Sequence, residues 1–165
     1  MNYIEAPGPL ENLQRPLVFL AGGITNCENW QEIVVAELTG AGSPKGSILN
    51  PRRAEFPMDK PEAAREQVMW EQAALWLSDV ISFWFAGGES VQPIVMFEFG
   101  CHLGRYSIGG GPHRIVAGID PTYKRKRDVE LQLEAHSRSL NGPYKIIPVD
   151  SLDAHVENIR RAVAR

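Results

Sequence analysis

The most strand-like run of the chain is Val80-Ile-Ser-Phe-Trp-Phe85. Its almost unbroken apolar character is typical of a strand that is buried on both faces of a parallel sheet. The loop Ala86-Gly-Gly-Glu-Ser90 follows it, and Pro93 is well placed to begin a helix that runs to about Tyr106. The stretch therefore predicts a strand followed by a helix, the repeating unit of α/β proteins.

The same alternation of strand and helix continues on both sides of this stretch. The other predicted strands are Leu17–Ala21, Ser47–Asn50, Arg114–Gly118 and Lys145–Pro148. The other predicted helices are Glu28–Leu38, capped by Thr25 or Asn26, then Glu62–Leu77, Asp128–Ser139 and Leu152–Val163. We expect a flavodoxin-like, doubly wound α/β fold, with a parallel five-stranded sheet in the order 2-1-3-4-5 and helices on both faces.

Length, charge and cysteine content narrow the class of protein. The 165 residues fit a single domain over residues 17–165, and residues 1–16, rich in Pro and Gly, are predicted to be an N-terminal arm. A net charge of −3 is unlike that of a dedicated nucleic-acid binder. The two cysteines, Cys27 and Cys101, make no disulfide framework, so a reducing, cytoplasmic location is expected. They also lack the spacing of zinc ligands, and we expect neither a metal nor a cofactor. No signal peptide or membrane span is expected either.

The strand order also predicts where a ligand binds. In doubly wound sheets, ligands bind beyond the carboxyl ends of the strands, at the point where the strand order reverses. That rule selects Gly22–Gly23, Asn50–Arg53 and Ala86–Glu98. The two glycines allow a backbone to approach a ligand closely, although the loop matches neither a dinucleotide-binding motif nor a P-loop.

Glu98 is the most informative side chain in these segments, because its neighbours from Val95 to Cys101 are mostly apolar. A lone carboxylate in such surroundings is costly unless it is paired, hydrogen-bonded or functional. Its position suits attack on an anomeric carbon or proton exchange, as in glycoside chemistry. The alternative is a structural acid paired with His102 or Arg105, and spacing alone leaves both open. The four tryptophans either stack on a base or belong to the core. They are Trp30, Trp70, Trp76 and Trp84.

Together, these residues resemble the nucleoside 2-deoxyribosyltransferase-like family. The resemblance extends from about residue 17 to residue 133, with the segments in the family's order. The matching segments are Val18-Phe-Leu-Ala-Gly-Gly-Ile24 with Trp30, Leu49-Asn-Pro-Arg-Arg53, Trp70-Glu71, Leu77-Ser-Asp-Val-Ile-Ser-Phe-Trp-Phe85, Gln92-Pro-Ile-Val-Met-Phe-Glu-Phe-Gly100 and Ile119-Asp-Pro-Thr-Tyr-Lys-Arg-Lys-Arg-Asp128.

The resemblance implies cleavage or transfer at the N-glycosidic bond of a (deoxy)nucleoside. Glu98 stands where the family carries the nucleophile that attacks C1′, expels the base and forms a covalent glycosyl-enzyme. Glu71, eight positions before Asp79, stands where the family has a base-handling acid, and Gln92 replaces an Asp of the better-known members. We predict three catalytic acids and six substrate contacts. The catalytic acids are Glu98, Glu71 and Asp79. Asp79 has a structural role as its alternative. The substrate contacts are Gly22, Gly23, Trp30, Asn50, Arg52 and Gln92.

Two other functions are compatible with the same residues. One is a nucleoside 5′-monophosphate N-glycosidase, in which the glycine loop and a cation bind the phosphate. The candidate cations are Arg52, Arg53 and Arg105, and the basic run from Lys124 to Arg127 is either a solvated helix start or a phosphate-contacting patch. The other is a non-catalytic nucleotide-binding sensor of the same fold.

Assembly is the last expectation from the sequence. The resemblance implies a homodimer or higher homo-oligomer in which a neighbouring chain closes the pocket. Independently, the two helices that carry Met69, Trp70 and Trp76, and Met96, Phe97 and Phe99, hold more large apolar side chains than one sheet face needs. The N-terminal arm is the alternative cover for the pocket, from within the same chain.

Overall fold

Five parallel strands form the central sheet in the computed structural model, which describes residues 1–107, 114–139 and 145–164. The strands are β1 (Asn2–Glu5), β2 (Leu17–Gly22), β3 (Ser47–Asn50), β4 (Val80–Phe85) and β5 (Arg114–Ile119). The helices are α1 (Trp30–Thr39), α2 (Ala63–Leu77), α3 (Pro93–Ser107), α4 (Lys126–Ser139) and α5 (Leu152–Val163). The sheet order is β1-β3-β2-β4-β5, so the predicted flavodoxin-like, doubly wound fold is confirmed.

The sheet is completed at one edge by a strand that the sequence analysis missed. β1 lies within the predicted arm and pairs with β3, from Asn2 opposite Ser47 to Glu5 opposite Asn50. It has only one neighbouring strand and is partly exposed, so its sequence carries no apolar run that would predict it. The rest of the predicted arm packs against the domain, because Ala6 is buried and Trp70 Nε1 donates to the carbonyl of Gly8 at 2.7 Å.

The predicted fifth strand at Lys145–Pro148 is wrong. Those residues form no strand, and the chain instead meets β5 through a single bridge between Val149 and Gly118. Val149 donates to the carbonyl of Ala117 and accepts from Ile119 N, so one residue makes the contact.

The two faces of the sheet bury separate apolar clusters. On β4, Phe83 and Phe85 pack on the side of α2 and α3, whereas Trp84 packs on the side of α1 and α5. This alternation on a strand that is buried throughout matches the apolar run from which it was predicted. Three of the four tryptophans are core residues and Trp76 is exposed.

The helices begin and end within two residues of their predicted positions. The cap of α1 is Asn29, whose side chain accepts from Glu32 N, and not Thr25 or Asn26 as predicted. None of the helices within residues 1–107, 114–139 and 145–164 has both the length and the apolar character that crossing a membrane requires.

Candidate active site

A cavity of about 430 Å³ lies at the carboxyl ends of β2 and β4, on the side of α2 and α3. The strand order of the sheet reverses between these two strands, which is where doubly wound folds bind ligands. The end of β2 and the loop after it form the floor, and α2, α3 and the loop after β4 form the walls. Two carboxyl groups, Glu71 of α2 and Glu98 of α3, lie in these walls.

The Glu98 side chain is almost fully buried, with 7% of the residue exposed. Burial and, to a smaller extent, the neighbouring charge of Glu71 raise the pKa of this carboxyl from its ordinary 4.5 to about 7. Arg105, a predicted alternative partner, places its guanidinium 3.4 Å from the centre of the Trp76 ring. Glu98 is therefore a carboxyl group that titrates near neutral pH in the wall of a cavity, as acid–base and nucleophilic groups in active sites do.

Glu71 has a more polar environment than Glu98. Burial is the largest influence on the pKa of Glu71 and raises it, while a hydrogen bond from Gln67 and the charge of Arg53 act to lower it. Gln67 Nε2 donates to Glu71 Oε1 at 2.7 Å. The structure thus brings together two of the three predicted catalytic acids and gives each a different environment, which is how paired carboxylates acquire different roles.

The glycine loop forms the floor of the cavity by close packing. A Cβ on Gly22 would lie 2.4 Å from the carbonyl oxygen of Trp84 and 2.5 Å from Trp30 Cζ2, and a Cβ on Gly23 would lie 2.8 Å from Gln92 Cδ. Neither position has room for a side chain. Both predicted glycines line the cavity, so their backbone is available to a ligand.

Gln92 also lines the cavity and is held in a restricted conformation. Its φ of 50° is in the left-handed region, which costs a residue other than glycine some strain. Its Nε2 donates to the carbonyl of Ala86 at 2.6 Å. Its Oε1 is buried and has no hydrogen-bond partner among the described residues. The prediction that Gln92 lies at the site fits this position.

The family comparison applies to the same part of the chain. A family model described as nucleoside 2-deoxyribosyltransferase like matches residues 15–108, more than half of the 165 residues. The chain belongs to the nucleoside 2-deoxyribosyltransferase-like family. The matched segment contains every residue that lines the cavity of this deoxyribosyltransferase-like protein. None of the curated proteins compared with the chain matches it.

Asp79 of this deoxyribosyltransferase-like protein does not lie at the cavity. It lies just before β4, at the amino-terminal edge of the sheet, whereas the cavity lies at the carboxyl ends of the strands. Its Oδ2 accepts from Leu17 N at 2.7 Å and its Oδ1 from Arg15 at 2.5 Å. These contacts fit the structural alternative considered for Asp79 above, and its catalytic role stays a prediction.

Three predicted substrate contacts support the site from outside the cavity. Asn50 Nδ2 donates to the Tyr3 hydroxyl, and Asn50 Oδ1 accepts from Arg52 N. Arg52 donates to the Glu28 carbonyl at 3.0 Å, and Trp30 Nε1 donates to the Gly23 carbonyl at 3.0 Å. None of these three side chains is among those that line the cavity, so their contact with substrate stays a prediction, and the contacts seen are with the loops around the cavity.

Sequence reasoning missed the residues behind Glu71. Gln67 lies one helical turn before Glu71, and this i, i+4 spacing is the signal that predicts the contact between them. Arg53 is one of the three candidate phosphate-binding cations named above, and its Nε donates to Gln67 Oε1 at 2.6 Å. Within the described parts of the chain, no three His, Cys, Asp or Glu side chains come together as metal ligands would.

Proposed function

We propose that the protein cleaves or transfers at the N-glycosidic bond of a (deoxy)nucleoside through a covalent glycosyl-enzyme on Glu98. The observation that carries this proposal is the buried Glu98 carboxyl, which titrates near neutral pH in the cavity wall beside a second carboxyl. Membership of the nucleoside 2-deoxyribosyltransferase-like family supports a nucleoside as the substrate.

In the proposed first step, an oxygen of the Glu98 carboxylate bonds to C1′ while the bond between C1′ and the base nitrogen breaks. The base leaves with the electron pair of that bond and takes a proton from Glu71. The transition state resembles an oxocarbenium ion, so the negative charge of Glu98 next to C1′ stabilises it.

The second step reverses the first with a different acceptor. A nitrogen of a second base, or the oxygen of water, bonds to C1′ and releases the Glu98 carboxylate. The proton that the acceptor loses returns to Glu71, so the enzyme ends in its starting state. The acceptor decides between transfer and hydrolysis, and the apolar rim of Val68, Ile94 and Phe97 favours a flat base over water.

In the free protein the pKa of Glu98 is raised to about 7, while Gln67 and Arg53 hold down the pKa of Glu71, so the first step needs substrate binding to move the proton from Glu98 to Glu71. Two carboxyl groups in one cavity do not both ionise easily, so the pair tends to hold one proton near neutral pH. Attack needs the charge on Glu98, and departure of the base needs the proton on Glu71. Binding of a base against Glu71 favours that distribution, because the base nitrogen accepts a hydrogen bond from the protonated acid.

We further propose that a second copy of the chain covers the cavity. Phe97 and Trp76 are 65% and 58% exposed, and Val68, Met69 and Ile94 are exposed beside them on α2 and α3. Three of these residues, Val68, Ile94 and Phe97, also line the cavity, so a partner that buries the patch also closes the site. A mass near 18 kDa in size-exclusion chromatography with light scattering at micromolar concentration would contradict this assembly.

The experiment that tests the activity is incubation with natural 2′-deoxynucleosides, with and without a second free base, followed by chromatography. Base exchange indicates transfer, and free base without an acceptor indicates hydrolysis. The Glu98→Gln variant keeps the size of the side chain, removes the anion and is expected to lose turnover by several orders of magnitude. Release at the wild-type rate in this variant would refute the role of Glu98. Turnover of nucleoside 5′-monophosphates but not of nucleosides would favour the 5′-monophosphate N-glycosidase. Binding without turnover would favour the non-catalytic sensor.

A further inference from the structure

A chain of hydrogen bonds reaches Glu71 from behind the cavity wall. Gln67 Nε2 donates to Glu71 Oε1 at 2.7 Å, and Arg53 Nε donates to Gln67 Oε1 at 2.6 Å. Gln67 and Arg53 do not line the cavity, whereas Glu71 does. They are therefore placed to act on the reaction through Glu71 alone.

The Gln67 amide has only one orientation that satisfies its neighbours. Its Nε2 also lies 2.7 Å from the carbonyl oxygen of Pro51, which can only accept a hydrogen bond. Its Oε1 faces the guanidinium of Arg53, which can only donate. A reversed amide would place acceptor against acceptor and donor against donor, so Gln67 always presents an N–H to Glu71.

Arg53 anchors this chain of contacts with a nearly buried positive charge. Its side chain is 6% exposed, and one terminal nitrogen donates to Glu66 Oε2 at 2.9 Å. Its guanidinium carbon lies 5.4 Å from the centre of the Phe56 ring. Contacts on several sides leave the planar group little freedom, which suits an arginine that orients another residue.

We propose that Gln67 and Arg53 are positioning residues that fix the Glu71 carboxyl by its Oε1 and leave Oε2 to exchange the proton with the base. The proposal rests on the proposed function, in which Glu71 handles the leaving base. A carboxyl held by one oxygen has a defined geometry for the other, and proton transfer depends steeply on that geometry.

The arrangement also distributes the proton between the two acids. Gln67 from its own helix and Arg53 from the segment after β3 act on the pKa of Glu71, and Glu71 in turn acts on the pKa of Glu98 from α3. The hydrogen bond from Gln67 holds down the pKa of Glu71, and the charge of Glu71 raises the pKa of Glu98. Removal of the hydrogen bond therefore raises the pKa of Glu71 and, because Glu71 then carries less charge, lowers the pKa of Glu98.

The test is a carboxyl titration of the Gln67→Met variant by carbon-13 NMR on glutamate-labelled full-length protein. Glu71→Gln and Glu98→Gln spectra assign the two signals, and Gln132→Met on α4 is the matched control. We expect the two midpoints to move in opposite directions in Gln67→Met and to stay in place in the control. Unchanged midpoints, or two shifts in the same direction, would overturn the proposal.

Kinetics provide a second readout with the best 2′-deoxynucleoside of the panel. Misplacement of a catalytic group lowers the rate of the chemical step more than binding, so kcat is expected to fall about 10- to 100-fold with KM within about twofold. A fall in kcat/KM of the same size that comes from a higher KM, with kcat unchanged, would contradict a positioning role. Arg53→Lys keeps the charge but removes the Nε–H, so we expect the Glu71 and Glu98 midpoints again to move in opposite directions, by smaller amounts. This variant replaces Gln67→Met if Gln67→Met does not fold.

The two proposals fail separately, because the titration needs no substrate. Absence of base release from the wild-type protein would refute the proposed function, whereas the opposite shifts would still establish the arrangement around Glu71. Base release that depends on Glu98, together with unmoved midpoints in Gln67→Met, would support the function and overturn the role of Gln67.

Discussion

Replacement of Glu98 by Gln is expected to stabilise the fold at alkaline pH. The carboxyl has a pKa of about 7 in the folded protein, against an ordinary value of 4.5. The folded state therefore holds the proton more tightly than the unfolded state, and stability falls as the pH rises from about 4.5 through 7. Above that range the folded protein carries the full cost of a buried anion, which the neutral amide of Gln does not have.

The size of the effect follows from the same two values. Each tenfold difference in proton affinity corresponds to about 1.4 kcal/mol, so the buried anion costs about 3 kcal/mol at pH 8. For a chain of this length, that free energy corresponds to a difference of roughly 6–12 °C in Tm. At pH 4.5 the carboxyl is protonated in the folded state and about half protonated in the unfolded state, so the difference between variant and wild type is expected to be small.

The assay is thermal unfolding of wild type and Glu98→Gln across pH 4.5 to 8.5, followed by circular dichroism. Glu157→Gln on α5 is the matched control, because Glu157 is an exposed carboxylate in a helical ion pair with Arg161. Such a surface pair is worth about 0.3–0.5 kcal/mol, so the control is expected to follow the wild type closely. A Glu98→Gln variant that is no more stable than wild type at pH 8, or a gain that is independent of pH, would refute the reasoning.

Three further substitutions give sharp expectations. Glu71→Gln removes the charge that raises the pKa of Glu98, so the rising limb of the pH–rate profile for base release should move to lower pH. The rate itself should fall about 10²- to 10⁴-fold, because the leaving base loses its proton donor. A rising limb at the wild-type pH would contradict the coupling between the two acids. Asp79→Asn should lower the free energy of unfolding by about 1–3 kcal/mol in denaturant titration and leave kcat unchanged. A loss of kcat with unchanged stability would instead support a catalytic role. Gly22→Ala brings a Cβ against the Trp84 backbone and should destabilise the fold by about 1–3 kcal/mol in the same assay, whereas wild-type stability would mean that the loop shifts freely.

The sequence predicts the fold well where the strands are buried on both faces. β4 is fully buried along its length, so its apolar run was a direct signal. β1 pairs with a neighbouring strand on one side only and is partly exposed, so its sequence lacks the apolar run that signals a buried strand. The run Lys145–Pro148 carries two isoleucines without being a strand, because apolar content does not reveal whether a segment pairs along the edge of β5 or meets it at a single residue.

The candidate site was predictable in position but less so in its contacts. The carboxyl ends of β2 and β4 follow from strand order, and this placed Glu98, Gln92 and the glycine loop correctly at one cavity. Asn50 and Arg52 follow β3 at the same edge of the sheet, yet their side chains are used by hydrogen bonds within the protein. Such local partners depend on side-chain directions that the linear sequence does not contain.

The edge position of β1 bears on the solubility of shortened forms of the protein. Without residues 2–5, β3 becomes the edge of the sheet, and the backbone groups beside Ile48 and Leu49 lose their partner strand. An apolar edge with unpaired backbone groups is a template for pairing between molecules. Asn2–Glu5 is short and ends in a charged residue, which is how natural sheets protect their edges from aggregation. A truncation designed on the assumption of a dispensable arm would remove that protection.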